Sequence, residues 1–310
     1  MKILCIGDLN ADLLLPYAEA KKKILNKNLD SSNPSSVTFQ GGGSVANTCR
    51  VLGKLGEKPY FITDLCKDSI GSFLKEEMEQ FGVNMSYSKE GDNSAIVCIA
   101  VVEEDGNRVI FPWLPPHADL PHFKKESFTN IPLDDYIVFT GGMVLNNDTE
   151  TMQSIYDFIH KLKDKTNSKF IFDLNMRKET YGLSEERKHF YHLYSSLADI
   201  ILGSGEDEYC PLTDENDMHD AIHSFDSNQM VIARDGDKPI HIVYKEKERI
   251  IECNKVNVIH TIGAGDTFDG AFIHAYNRNY SLEECVSYAS FVASYMISHT
   301  GYLTLPEDKL

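Results

Sequence analysis

The 310-residue chain has no run of apolar residues long enough to cross a bilayer. Its N-terminus reads directly as a strand, Met1-Lys2-Ile3-Leu4-Cys5-Ile6-Gly7, without an apolar signal segment. A cytoplasmic protein with no membrane partner is therefore expected. Basic residues are in deficit: 30 Lys and Arg stand against 47 Asp and Glu, a formal net charge of −17. That argues against nucleic acid as a partner, because a phosphate backbone is bound by basic patches. CxxC pairs are missing, and the seven cysteines (Cys5, Cys49, Cys66, Cys98, Cys210, Cys253, Cys285) are scattered and odd in number. Several lie in apolar runs, where free cysteine behaves as a small core residue, so a reducing compartment is the simplest reading. No internal repeat or low-complexity linker divides the chain, and one principal domain over residues 1–310 is expected. No Gly-x-x-x-x-Gly-Lys-Ser/Thr occurs either, so any bound phosphates must be held by another kind of loop.

What is present centres on one stretch near the C-terminal end. Val256, Val258 and Ile259 lead into Gly263-Ala264-Gly265-Asp266, after which Phe268, Ala271, Phe272 and Ala275 recur at helical spacing. Strand, small-residue loop and helix would aim free backbone N–H groups and a positive helix end at an anion. Asp266, where the helix begins, either caps it or orients a hydroxyl for attack on a phosphoryl group. An aspartate has an ordinary pKa near ~3.9 and a helix N-terminus lowers it, which makes Asp266 a weak base by expectation.

The remaining candidates follow in chain order. The first strand ends at Gly7, and Asn10 and Asp12 stand at its carboxyl end, where open α/β sheets bind ligands. They suit two sugar hydroxyls, and equally an Asn/Asp-rich turn. Gly41-Gly42-Gly43-Ser44-Val45-Ala46-Asn47 opens a helix carrying Cys49, Leu52 and Leu55. Its glycines would let backbone approach a ligand, with the Asn47 amide one turn inside, or would form a flexible turn. Gly41, Gly43 and Ala46 also match the dinucleotide pattern Gly-x-Gly-x-x-Ala, with Asp64 downstream, although the preceding strand is partly polar and is not the first. A helix is predicted over 70–82. Strand-like runs over 95–102 and 108–113 flank an Asp-Gly hairpin signal, and with residues 13–40 they would form a small sheet apart from the main one. From residue 137 onward strands near 137–139, 170–172, 199–202 and 230–232 alternate with helices, the pattern of a parallel sheet wrapped by helices. Arg177 could clamp a carboxylate or phosphate, or be a solvated surface residue. Gly205-Glu206-Asp207-Glu208 could order hydrated Mg²⁺, or be the acidic first turn of a helix capped by Ser204. His219 and His223 are one helical turn apart, as metal ligands are, but no third ligand is in view and an exposed helix face is expected.

Together these stretches resemble the ribokinase-like carbohydrate kinases, the PfkB family, over nearly the whole chain. Gly263-Ala264-Gly265-Asp266-Thr267-Phe268 is similar to that family's C-terminal signature, and Gly42-Gly43-Ser44-Val45-Ala46-Asn47 to its N-terminal one. Asp173-x-Asn175-x-Arg177 most resembles the branch of 2-keto-3-deoxygluconate kinases and fructokinases. The resemblance implies an α/β fold: a mainly parallel central sheet of nine strands, helices on both faces, and a β lid from about 13–40 and 95–113. It implies ATP and Mg²⁺ as cofactors and a small sugar or sugar acid (2-keto-3-deoxygluconate, fructose or ribose type) as phosphoryl acceptor. Asp266 would be the catalytic base, with the amides of Gly263, Ala264 and Gly265 holding the transferring phosphate. Asn10, Asp12, Gly42, Gly43 and Asn47 would hold the sugar, joined by Arg177. Glu208 would organise Mg²⁺ through water, and Arg234 and Gly236 would lie on the nucleotide side. Lids often pair between subunits in that family, which makes a homodimer an expectation.

Departures gather on the nucleotide side. His260 stands where the family usually has an aspartate beside a monovalent-cation site, which puts K⁺ activation in doubt. Gly205 replaces the asparagine of Asn-x-x-Glu, and Ala233-Arg234-Asp235-Gly236 lacks the first glycine of the usual turn. These changes leave open a sugar-binding regulatory homologue with weak nucleotide binding. They also leave room for a nucleoside kinase, and the Gly41 loop taken alone would suit an NAD(P)-dependent oxidoreductase.

Overall fold

The computed structural model describes residues 1–16, 37–102, 108–114, 119–301 and 303–307. The first half contains strands β1 (Lys2–Ile6), β2 (Asn10–Pro16) and β3 (Thr38–Gly42), helix α1 (Ser44–Lys54), and strands β4 (Tyr60–Ile62) and β5 (Asp64–Cys66). Helix α2 (Ser69–Gln80) and strands β6 (Lys89–Gly91), β7 (Val97–Val102) and β8 (Arg108–Trp113) complete it. The second half alternates β9 (Tyr136–Gly141), α3 (Thr149–Lys165), β10 (Lys169–Asp173), α4 (Lys178–Tyr181), α5 (Glu185–Leu197) and β11 (Ile200–Ser204). Helices α6 (Cys210–Thr213) and α7 (Met218–His223) precede β12 (Met230–Arg234), β13 (Ile240–Tyr244) and β14 (Lys247–Ile251). Helices α8 (Ala264–Asn277) and α9 (Leu282–Ile297) close the chain.

Among the described residues the main sheet has eight strands, in the order β14-β13-β12-β11-β10-β9-β1-β4, rather than the nine that the resemblance implied. Beyond β4 the pairing shrinks to a single bridge, Tyr60 to Asn84. The run from β12 to β4 is parallel, while β13 and β14 return antiparallel. Alternation in β1 divides the core. Ile3 and Cys5 pack with α1, α8 and α9 on one face, and Leu4 and Ile6 with α3 and α5 on the other. Strand β9 is buried at every position, as a parallel strand covered on both faces must be. Helix starts carry local caps: Asp68 accepts from Gly71 N at 2.7 Å, Asp148 from Thr151 N at 2.7 Å, and Ser281 with Glu284 forms a capping box.

The small sheet has the order β3-β2-β7-β8. Asn10 and Asp12 therefore belong to a strand of this sheet and not to the end of β1. Residues 17–36 and 103–107 of the expected lid lie outside the described residues. Period-two alternation splits the sheet's faces. Phe39, Leu13, Ile99 and Phe111 align across the four strands, and Leu13 and Ile99 pack with Leu74 of α2. The opposite face carries Gln40, Asp12, Cys98 and Pro112 in one row.

One sequence expectation fails at the stretch ahead of α8. Residues 252–263 form no strand, and Val256, Val258 and Ile259 are exposed. The segment is held by Ile259 N and His260 N, which both donate to the carbonyl of Ile297 at the end of α9. Apolar residues there do not pair because β14 turns back antiparallel and occupies the sheet edge.

Candidate active site

A cavity of about 1050 Å³ opens where the carboxyl ends of β10, β11 and β12 meet the amino end of α8. Asp173, Asn175, Arg177, Glu208, Arg234 and the loop from Gly263 to Asp266 line it. This is the edge at which parallel sheets bind ligands, because helix N-termini converge there. Gly263, at φ 75, lets the chain enter α8, whose first-turn amides have no partner within the helix.

Asp266 sits in that first turn and is tied to the other glycine loop. Ser44 Oγ donates to its Oδ1 at 2.7 Å and Asn47 Nδ2 to its Oδ2 at 2.8 Å. Asn175 Nδ2 donates in turn to Ser44 Oγ at 2.6 Å, and Arg177 Nε to Asn175 Oδ1 at 2.8 Å. Asn175 (φ 30) and Arg177 (φ 49) hold left-handed backbone, a strained loop at the cavity wall. Burial pushes the Asp266 carboxyl above its ordinary value, against the opposing donations from Asn47 and Ser44. This runs opposite to the expectation from the helix end alone, because burial disfavours the charged carboxylate.

Helix α1 has no side-chain cap of its own; Asp8 supplies one from the end of β1, accepting from Ser44 N at 2.9 Å and Val45 N at 3.4 Å. Gly43, at φ 97, approaches so closely that a Cβ would lie 2.5 Å from the Asp8 carbonyl. Behind the loop, the fully buried Arg50 donates to the Gly42 carbonyl and to Asn47 Oδ1, and pairs with Glu77 at 2.8 Å. Asp12 packs against Gly42 and accepts from Asn10 Nδ2 at 2.8 Å. Burial pushes its carboxyl up to about 6, although Arg50 opposes the shift. Asn10, Asp12, Gly42, Gly43 and Asn47 thus gather on the lid side of Asp266, adjoining the cavity without lining it.

On the far side, Glu208 is not an acid on an exposed first turn. It lies in a π-helical turn, Gly205–Tyr209, and Ser204 caps nothing with its side chain. Its two oxygens accept from Met176 N at 2.6 Å and Ser204 N at 2.7 Å. Burial, reinforced by the charge of Asp173, pushes its carboxyl up to about 7. The Arg234 guanidinium lies behind the anion loop: Nη1 donates to Asp269 at 2.5 Å and to the Gly265 carbonyl at 3.2 Å, and Nη2 to Asp173 at 2.9 Å. Burial pushes the Asp269 carboxyl well up, with Asp173 adding to the shift and Arg234 opposing it. Gly236 (φ 60) and His260 do not line the cavity.

Sequence reasoning missed Asp8, Ser44, Arg50, Glu77 and Asp269. Two left a signal: Asp269 is an acid three residues after Asp266 in an otherwise apolar helix, and Arg50 a cation three after Asn47. The dinucleotide reading of Gly41, Gly43 and Ala46 fails on topology. The strand before that loop, β3, is an antiparallel member of the small sheet, and Asp64 lies in β5, paired only with β6.

A nucleotide-sized cavity at a helix N-terminus, with a half-buried carboxylate beside a glycine loop, is an arrangement suited to phosphoryl transfer. Residues 1–309 match the family model described as pfkB family carbohydrate kinase, and the chain belongs to that family. It is an enzyme that phosphorylates a sugar at the expense of ATP. The chain is 26% identical over 272 residues to a 5-dehydro-2-deoxygluconokinase of Lacticaseibacillus casei, covering 83% of this chain and 80% of that one. It is 22% identical to the protein of the same name from Clostridium tetani, over 91% and 85% of the two chains. In fold it is similar to aminoimidazole riboside kinase from Salmonella enterica (TM-score 0.79, 21% identity, 98% and 96% coverage). Fructokinase from Vibrio cholerae is similar to the same degree (TM-score 0.79, 19% identity, 98% and 96% coverage). Among the described residues no helix is long and apolar enough to cross a membrane.

Proposed function

We propose that the chain transfers the γ-phosphate of ATP to a hydroxyl of a small keto-deoxy sugar acid, of the 5-dehydro-2-deoxygluconate or 2-keto-3-deoxygluconate type. The observation that carries this reading is the placement of Asp266. Its carboxylate is gripped by Ser44 and Asn47 from the lid side and lies at the N-terminus of α8 on the cavity side. An acceptor hydroxyl held by Asn10, Asp12, Gly42, Gly43 and Asn47 would replace part of that grip and donate to Asp266. The carboxylate orients the hydroxyl and takes its proton late, which suffices because the loose transition state of phosphoryl transfer asks chiefly for alignment and charge neutralisation. Its raised pKa makes it a better base than an exposed aspartate. The amides of Gly263, Ala264 and Gly265 meet the charge on the transferring group without reorganising.

Arg177, exposed at the cavity wall, suits the acid's carboxylate as a bidentate partner. The relatives' shared name, 5-dehydro-2-deoxygluconokinase, favours the same substrate class. Glu208 and Asp173, both at the cavity, fit the acidic donor set of a hydrated Mg²⁺, which would neutralise phosphate charge when bound. Arg234, expected on the nucleotide side, acts in this reading as a positioning residue, since its Nη atoms are engaged by two carboxylates and the Gly265 carbonyl. Gly236 shapes the turn after β12.

We read residues 1–310 as one kinase domain with β2, β3, β7 and β8 as its lid. Phe111 and Trp113 remain 54% and 51% exposed on the lid face that packs α2, which suits pairing with a second copy's lid. The free cysteines, three of them buried, suit a reducing cytoplasm.

The test is a coupled assay with Mg-ATP across keto-deoxy sugar acids, neutral ketoses and nucleosides, on the wild type and on Asp266→Asn. Loss of a positioned base lowers kcat by about 10²–10⁴-fold at unchanged circular dichroism. Full activity of the variant would remove Asp266 from the mechanism, and preference for a neutral sugar or a nucleoside would remove the sugar-acid assignment.

A further inference from the structure

Helix α7 and the β13–β14 hairpin bring together four groups that the kinase site does not use. His219 and His223 stand one turn apart on α7, their ring centroids 4.3 Å from each other. Glu248 on β14 faces both: its Oε2 lies 3.4 Å from His219 Nδ1 and 3.9 Å from His223 Nε2. Its Oε1 lies 2.6 Å from Nδ1 of His241 on β13. None of the four lines the large cavity.

The hydrogen bonds give this cluster a chemical direction. His223 Nδ1 is 2.8 Å from the backbone carbonyl of His219. A carbonyl only accepts, so Nδ1 carries the proton, and in the neutral ring Nε2 is left with its lone pair turned towards Glu248. A carboxylate oxygen also only accepts. Two acceptors therefore face each other across 3.9 Å, too far to share a proton. An ion between them resolves the arrangement. Ligands bonded at about 2.0–2.2 Å around a tetrahedral ion stand roughly 3.3–3.6 Å from one another. The ligand atoms of His219, His223 and Glu248 lie within 4.8 Å of one another, and they form the one such group among the described residues. The outer hydrogen bonds, His223 Nδ1 to a carbonyl and Glu248 Oε1 to His241, are those that fix metal-ligating side chains.

We propose that His219, His223 and Glu248 form a binding site for a divalent first-row transition metal ion, Zn²⁺ in particular, with His241 orienting the carboxylate. Two imidazoles and one carboxylate suit Zn²⁺ and its neighbours in the series, whereas Mg²⁺ prefers an all-oxygen shell. The bound ion would clamp α7 to the edge of the main sheet, its fourth position open beside the exposed His219.

The experiment is isothermal titration of the full-length protein with ZnCl₂, in a weakly chelating buffer containing Mg²⁺. Co²⁺ absorption serves as a second probe. The wild type should bind one Zn²⁺ per chain. His223→Ala and Glu248→Gln should lose that stoichiometric binding, and His241→Gln should weaken it by about 10-fold or more. The Co²⁺ form should show tetrahedral visible bands without the near-ultraviolet charge transfer of a thiolate, which separates this site from the cysteines. Melting temperatures in EDTA that match the wild type certify that the variants are folded; a variant failing that check is replaced by His219→Gln. No stoichiometric binding by the wild type, or binding unchanged in folded variants, overturns the proposal, as does a thiolate band.

Discussion

Replacing Arg234 by methionine removes the one guanidinium between Asp173 and Asp269 while keeping most of the side chain's length. The arginine side chain is 13% exposed and its partners 6% and 0%, so little of the ion-pair cluster is open to water. Each contact is worth about 4 kcal/mol at close range in a medium of effective dielectric near 20, before desolvation is subtracted. Asp269, already pushed towards its protonated form, will take a proton when the arginine is gone, so only the contact with Asp173 is lost in full. Breaking a buried pair from one side costs about 3–5 kcal/mol, and that is the loss expected in urea unfolding. Asp269→Asn in the same background should return part of it, with a coupling energy of at least about 1 kcal/mol in the double-mutant cycle. Nη1 also holds the Gly265 carbonyl, so the loop ahead of Asp266 should loosen and kcat should fall more than the KM for the sugar rises. A single-variant loss below about 1 kcal/mol, or additivity within about 0.5 kcal/mol, would refute the assignment of Arg234 as the brace behind the loop.

Three further outcomes follow. Asp12 is raised from 3.8 to about 6, so the folded state holds a proton that the unfolded chain releases earlier, and this contribution to stability is lost as pH rises from 4 to 6. Asp12→Asn should remove up to about 3 kcal/mol of that decline, and an unaltered stability–pH curve would show that Asp12 is not desolvated. Arg177→Ala should raise KM for a sugar acid by about tenfold or more, the worth of one charge-assisted pair, and leave a neutral ketose unaffected; equal effects on both would place Arg177 on the phosphate instead. With His260 ahead of the loop, exchanging KCl for choline chloride at constant ionic strength should leave kcat unchanged, and a steep dependence on K⁺ would return a monovalent cation to the site.

Much of this protein was legible before its coordinates. Period-two and helical spacings located most strands and helices, since burial on both faces of a parallel sheet leaves continuous apolar runs such as Ile137-Val138-Phe139 and Phe170-Ile171-Phe172. Glycine loops ahead of α1 and α8 were visible because Gly42 and Gly43 leave no room for a Cβ and Gly263 takes a positive φ. Reading failed where one segment's environment is made by another. Val256, Val258 and Ile259 look like a strand, yet the hairpin β13–β14 occupies the sheet edge. Asn10 and Asp12 look like the end of β1, yet they pair with β3 and β7 in the lid.

The linear order of residues pointed to the reaction class through the family resemblance of its two glycine loops and of the acid at a helix start, while leaving other classes open. Tertiary structure decided how that acid is tuned. Desolvation depends on every atom packed around Asp266, and its partners Ser44 and Asn47 lie some 220 residues away along the chain. The same holds for Arg234 with Asp173 and Asp269, and for Glu248 among its three histidines. Ion pairs and ligand sets need groups within a few ångströms, and separation along the sequence says nothing about that distance until strands are ordered and helices packed.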